Sequence, residues 1–175
     1  MTITLAHHAP PANAMPARQV GWRPLRASFD SDPACALKST WAGSQERRFE
    51  RLRDTFVRQG GFVPADLVSE LLRPHWNQPM SRVARWIALR EVVSVTWRTQ
   101  VWLPLFQFER PSLDQLPAAA QVVRELRAVY DDWELAEWFA APHDLLAGRA
   151  PAADLSHNPR AVRDAARRDR FVSRW

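Results

Sequence analysis

The sequence predicts a mainly α-helical fold: a helix-turn-helix-like domain with a short β-hairpin wing, followed by a small all-helical domain. Three observations predict it. Apolar residues recur at three- and four-residue spacing through most of residues 44–171. Only around 91–109 does the period shorten to two. Pro, Gly and Asn stand at the ends of the periodic runs, where they start or stop helices.

Residues 1–43 read as a flexible arm. The stretch "HHAPPANAMPARQVGWRPL" holds several Pro, much Ala and no sustained period, so it buries too little to fold alone. Trp22, Phe29 and Trp41 are its candidate docking side chains. Ser44 then suits the N-cap of "QERRFERLRDTFVRQ", with Phe49, Leu52, Phe56 and Val57 at helical spacing. Gly60-Gly61 stops that helix. In "FVPADLVSELLR", Pro64 suits a first helical position and Leu67, Leu71 and Leu72 form one face. "PHWNQP" (74–79) is a break. "MSRVARWIALR" (80–90) is the next helix, with Val83, Trp86 and Ile87 inward and Ser81, Arg82 and Arg85 outward.

In "EVVSVTWR", Val93, Val95 and Trp97 alternate onto one face. A tight Arg98-Thr99-Gln100 turn leads to a second strand, "VWLPLFQFE", and the two make a hairpin. Pro104 assigns the second strand to a sheet edge, because proline cannot donate to a ladder. This closes a domain over 44–110. From 111 to 175 the helical period returns. "PAAAQVVRELRAVY" sets Val122, Val123, Leu126, Val129 and Tyr130 on one face. "DDWELAEWFAA" is capped by Asp131 or Asp132 and buries Trp133, Leu135, Trp138 and Phe139. Two short helices follow near 151–155 and 159–169, the last started by Asn158-Pro159.

Composition narrows the function classes. Apolar residues make up 46% of the 175, enough for a real core, and nine Trp supply large buried or interfacial surfaces. The single Cys35 forbids an intrachain disulfide and fits a reducing cytoplasm. No apolar run spans a bilayer and no signal peptide opens the chain, so a cytoplasmic protein without a membrane partner is expected. The five Gly form no phosphate cradle, so no cofactor is expected. His7, His8, His75, His143 and His157 lack a nucleophile or further metal ligand at working spacing, so neither catalysis nor a metal site is expected. Asp144 beside His143 is a lone pair. Asp131, Asp132, Glu134 and Glu137 read as helix capping.

The net charge of +5 is unevenly placed. Residues 44–110 carry eleven cations against seven anions, and residues 111–175 nine against ten. The middle segment is therefore the expected polyanion surface and the end is not. "RAVRDAARRDRF" carries Asp164 and Asp169 among its arginines and reads as a solvated, internally paired helix. Residues 63–90 give helix, short turn and helix, with Ser-Arg-x-x-Arg at the exposed start of the second. A helix-turn-helix presents such residues to base edges and phosphates, with a hairpin wing alongside. Ser81, Arg82, Arg85, Arg90 and Arg98 are the candidate DNA contacts, and a palindromic operator would require a homodimer.

The stretch "WFAAPHDLLAGRAPAADL" resembles the toxin-binding domain of Xre/MbcA/ParS-type antitoxins. That family ends a helix in a Pro-x-x-x-Leu-Gly-Gly-x-x-Pro-x-x-x-Leu run. The matching residues are Trp138, Pro142, Leu146, Gly148, Arg149, Pro151 and Leu155, within a resemblance reaching from about Gln121 to Phe171. The family's first Gly is Ala147 here. The resemblance implies an antitoxin that covers the active site of a cognate toxin, often a RES-domain enzyme consuming NAD, and represses its own operon. Trp138, Phe139, Pro142, Leu145, Leu146, Gly148, Arg149, Pro151 and Leu155 are then the candidate toxin contacts, with Leu145 and Leu146 exposed. Arg174 and Trp175 would reach into the toxin's cleft. The alternative is a DNA-binding transcriptional regulator, or a phage accessory protein, whose helical end only dimerises.

Overall fold

The computed structural model describes the backbone of residues 33–173, and side chains from Gly43 to Ser173. The predicted arm up to residue 32, Arg174 and Trp175 lie outside the described residues. Helix α1 (Pro33–Val57) is followed by β1 (Phe62–Pro64), α2 (Ala65–Leu72), α3 (Pro79–Ala88), β2 (Val95–Trp97) and β3 (Gln100–Pro104). A 3-10 turn (Leu105–Gln107) leads to α4 (Pro117–Leu126) and α5 (Asp132–Ala140). A second 3-10 turn (Asp144–Leu146), α6 (Pro151–Asp154) and α7 (Pro159–Val172) complete the described chain. The fold is mainly helical, as the sequence predicts, with one small antiparallel sheet.

Several local expectations are corrected. Helix α1 begins at Pro33, so residues 33–43, expected as the end of the flexible arm, are helical, and Ser44 lies inside the helix and does not cap it. Pro64 stands just outside α2 and pairs as the last residue of β1. The buried face of α2 is Val68, Ser69 and Leu72, while Leu67 and Leu71 are exposed. The sheet has the order β1-β3-β2, which puts β3 in the centre and not at an edge. Pro104 is tolerated because it ends β3, opposite Phe62, where the ladder closes.

Two apolar clusters hold the molecule. The smaller joins α2 and α3 through Val68, Leu72, Val83 and Trp86 to Leu103, Phe108 and Leu113. The larger gathers Phe49, Leu52 and Phe56 of α1, Phe62, Val93 and Val95, and the inner faces of α4, α5, α6 and α7. It draws on both sides of residue 110, the predicted domain junction. Helix α1 therefore packs against the C-terminal helices as well as the sheet. An ion pair ties its edge down: Arg48 donates to both carboxylate oxygens of Glu137 at 2.7 and 2.9 Å and lies over the Trp133 ring.

Gln107 joins the sheet to its surroundings. Its side chain is buried and replaces a missing strand partner for Val93. The Val93 N–H donates to Oε1 at 2.7 Å, and Nε2 donates to the carbonyls of Val93 and Pro104 at 2.9 and 3.0 Å. Buried backbone groups must be paired somewhere. Replacing Gln107 with Leu strands both Val93 groups, and each stranded group costs roughly 1–3 kcal/mol. Gln107→Leu is expected to destabilise the fold by about 3 kcal/mol in equilibrium urea unfolding, while Gln115→Leu, at a partly exposed neighbour, changes it by less than about 1 kcal/mol.

Candidate docking loop and helix-turn-helix face

Helix α5 is bounded at both ends by sequence. Asp131 accepts from the Glu134 N–H at 2.7 Å, and Glu134 accepts from the Asp131 N–H at 2.8 Å, a reciprocal cap. At the other end Pro142 forces Ala141 out of the helical region, to φ −79° and ψ 146°. The chain then doubles back within eight residues. His143 N–H donates to the Arg149 carbonyl and Gly148 N–H to the His143 carbonyl, both at 3.1 Å. The bend needs two successive left-handed residues, Ala147 at φ 54° and Gly148 at φ 76°. Ala147, where the antitoxin pattern has its first Gly, thus holds the left-handed backbone at a cost of about 1 kcal/mol. A Cβ on Gly148 would meet nothing within 4 Å, so glycine is favoured there by conformation and not by space.

Two side-chain junctions fix this loop. Asp169 of α7 accepts from Trp138 Nε1 at 2.6 Å and meets His143 Nε2 at 2.9 Å, all on one carboxylate oxygen. The Leu145 N–H donates to His143 Nδ1 at 3.2 Å. With Nδ1 accepting that bond, Nε2 is the ring nitrogen placed to donate to Asp169. Both ring nitrogens are committed to the fold. At the far side, Arg149 donates to both oxygens of Asp154, whose side chain is only 4% exposed. The hydrogen bond to Asp154 raises the Arg149 guanidinium above its ordinary value, and a bond to Glu137 does the same for Arg48.

The predicted toxin contacts divide into two sets. Trp138, Phe139, Leu146, Pro151 and Leu155 are buried and belong to the core side of the loop. Leu146 is therefore not exposed as expected; only Leu145 of the pair points outward, 47% exposed. Pro142, Gly148 and Arg149 are on the surface, and Arg174 and Trp175 lie outside the described residues. A groove of about 420 Å³ between α1 and α5, lined in part by Arg51, Thr55 and Ala140, runs up to Pro142. The pairing of His143 with Asp169 is not among the sequence expectations. Its signal is the phase of α7: Val162, Ala165, Ala166 and Asp169 share the inward face at helical spacing.

The helix-turn-helix face is less free than expected. Arg82 does not point outward. It stacks 3.3 Å from the Trp76 ring centroid, lies over Trp86 and meets Asp114 at 3.7 Å. Arg90 donates to Asp132 and to the carbonyls of Arg127 and Tyr130 at 2.7–2.8 Å. Arg98 at the hairpin tip pairs with Glu46 at 3.2 Å. Ser81 and Arg85 remain exposed on α3.

The chain matches no protein-family model, no curated protein and no solved structure. No helix among the described residues is long and apolar enough to cross a membrane, and none of their His, Cys, Asp and Glu groups is suited to hold a metal ion.

Asp169 is the test of the loop's fixation. Asp169→Ala strands the Trp138 indole and frees His143, and is expected to cost about 1–2 kcal/mol in urea unfolding. Amide exchange at Leu145 and Gly148 should rise with it, whereas Asp169→Asn, which keeps an acceptor oxygen, loses less.

Proposed function

We propose that this chain is an antitoxin that binds a cognate protein toxin through the loop between α5 and α6 and blocks it without chemistry of its own. The single observation that carries the reading is Leu145, an exposed leucine at the tip of a loop fixed on every side. Its own N–H is held by His143, the next residue is buried, and the two left-handed residues after it close the turn. A side chain presented on such a frame loses little entropy on binding, and an apolar anchor with a polar rim is how protein hot spots are built. The resemblance to Xre/MbcA/ParS-type antitoxins lies in the same residues, and Ala147 and Gly148 are both left-handed where that pattern has two Gly. By that resemblance the partner is a RES-like, NAD-consuming enzyme.

A second reading has an observation of its own. The order helix, strand, helix, helix, hairpin, with β1 closing on β3, is that of a helix-turn-helix with a hairpin wing. It supports a DNA-contacting regulator that uses Ser81 and Arg85 on α3, as a homodimer on a palindromic site. The two readings separate in one experiment: co-expression with the product of the adjacent reading frame, affinity purification and a growth assay. The antitoxin reading expects a stable complex and rescue of growth, with Leu145→Asp weakening the complex at least tenfold while its thermal unfolding stays within about 2 °C of the parent, as a surface change should. A harmless neighbour that forms no complex would overturn it in favour of the regulator.

A further inference from the structure

Helix α7 carries a row of cations that neither reading uses. Arg160, Arg163, Arg167 and Arg170 recur at i, i+3, i+7 and i+10, the spacing that puts side chains in one stripe. The opposite face of α7, Val162, Ala165 and Ala166, is buried against α4. Packing on α4 brings Arg124 and Gln121 beside the stripe. Together with Arg163 and Arg167 they line a polar depression of about 330 Å³ that contains one carboxylate, Glu125. Glu125 accepts from Arg167 at 3.2 Å and also pairs with Arg170. Asp164 reaches Arg167 only at 3.9 Å. Among the described residues, Arg124 and Arg160 form no ion pair. Arg163 donates to the Gln121 side chain at 3.3 Å, yet its Nε–H, out of water, has no partner.

Five cations thus meet two carboxylates on one face. Asp169, counted against this helix in the sequence, points the other way, to Trp138 and His143.

We propose that the α4–α7 face binds the phosphate backbone of duplex DNA, without reading bases. The stripe is straight and extends about 15 Å from Arg160 to Arg170 at roughly 1.5 Å per residue. Over that length one DNA strand presents about four phosphates, at about 3.4 Å each. Guanidinium forks suit phosphate oxygens in pairs. A protein partner's hot spot would instead want an apolar centre, and the centre of this face, between Gln121, Arg124, Arg163 and Arg167, has none. The site is separate from α3 and from the docking loop and rests on neither reading.

The test is fluorescence anisotropy of the full chain with a labelled duplex of about 30 base pairs and mixed sequence, titrated at salt concentrations from about 50 to 200 mM. The parent chain is expected to bind, with affinity falling linearly on a log–log salt plot. The triple variant Arg124→Ala, Arg160→Ala, Arg163→Ala should bind at least tenfold more weakly. Its salt slope should become shallower by about 0.9 for each phosphate no longer neutralised, about two to three in all. Glu125→Gln releases Arg167 and Arg170 from their carboxylate and should tighten binding, a gain that misfolding cannot produce. Arg58→Ala, at an exposed arginine just past α1, should leave binding within twofold. The proposal is overturned by a parent chain that does not bind at low salt, or by a triple variant that keeps affinity and slope. Loss with Arg58→Ala alone, or equal competition by polyglutamate at matched charge, overturns it as well. The last result would assign the face to an acidic protein.

Discussion

Burial of Phe56 is the constraint on which the rest of the structure depends. This ring at the end of α1 is fully buried and lies 5.5 Å from Phe62 of β1 and 5.6 Å from Phe106. Phe106 continues to Phe139 of α5 at 4.9 Å, and Phe139 to Trp138 and then His143. In the other direction Phe62 and Phe49 reach Trp97 and Trp102 of the hairpin. A continuous row of rings therefore runs from the hairpin tip to the α5–α6 loop. Each ring buries a large area, and tilted or edge-on pairs add about 0.5–1.5 kcal/mol beyond it. The position of the loop relative to the sheet is set by this row, and the hydrogen bonds of His143 and Asp169 refine what the row has already placed.

Around that row, side chains stand in for backbone. Gln107 completes the ladder for Val93 where β2 is too short to do so. Arg90 illustrates the same exchange at a helix end. It takes the left-handed position after α3, where Glu91 N–H reaches the Trp86 carbonyl and Arg90 N–H that of Ile87. Glycine is usual at such a position, and a larger residue is strained there. The three bonds of its guanidinium to α4–α5 groups offset that strain, and they tie the helix-turn-helix to the C-terminal helices at the same point. An arginine so committed is unavailable to a ligand.

Helix existence is largely legible in the sequence, because the period of apolar residues and the terminating Gly, Pro and Asn are local signals. Asn158 does cap α7, and Asp131 caps α5. What is not legible depends on partners far along the chain. The three-residue β1 has no period of its own and exists only because β3 lies beside it. The central place of β3 follows from that pairing and not from Pro104. Leu67 and Leu71 suit the inside by type, yet phase turns Val68 and Leu72 to the core. In the α5–α6 loop, the punctuation and the buried Leu146 and Leu155 are core chemistry, so the sequence marks the loop without separating the exposed Leu145 from the residues that hold it.

Charge shows most clearly why a segment is not a surface. By sequence the middle of the chain is basic and the end slightly acidic. In three dimensions the acids of the end have other duties. Asp131 caps α5, Glu137 holds Arg48, Asp154 holds Arg149 and Asp169 holds Trp138 and His143. Each is spent on its own cap or partner, away from the outer stripe of α7. Three arginines of the middle are engaged in the same way, Arg82 on Trp76, Arg90 on carbonyls and Arg98, still exposed, on Glu46. Field at a surface comes from charges left without a near partner. By that measure the nominally acidic half carries a basic face of its own, the outer stripe of α7 with Arg124, because most of its acids are engaged elsewhere.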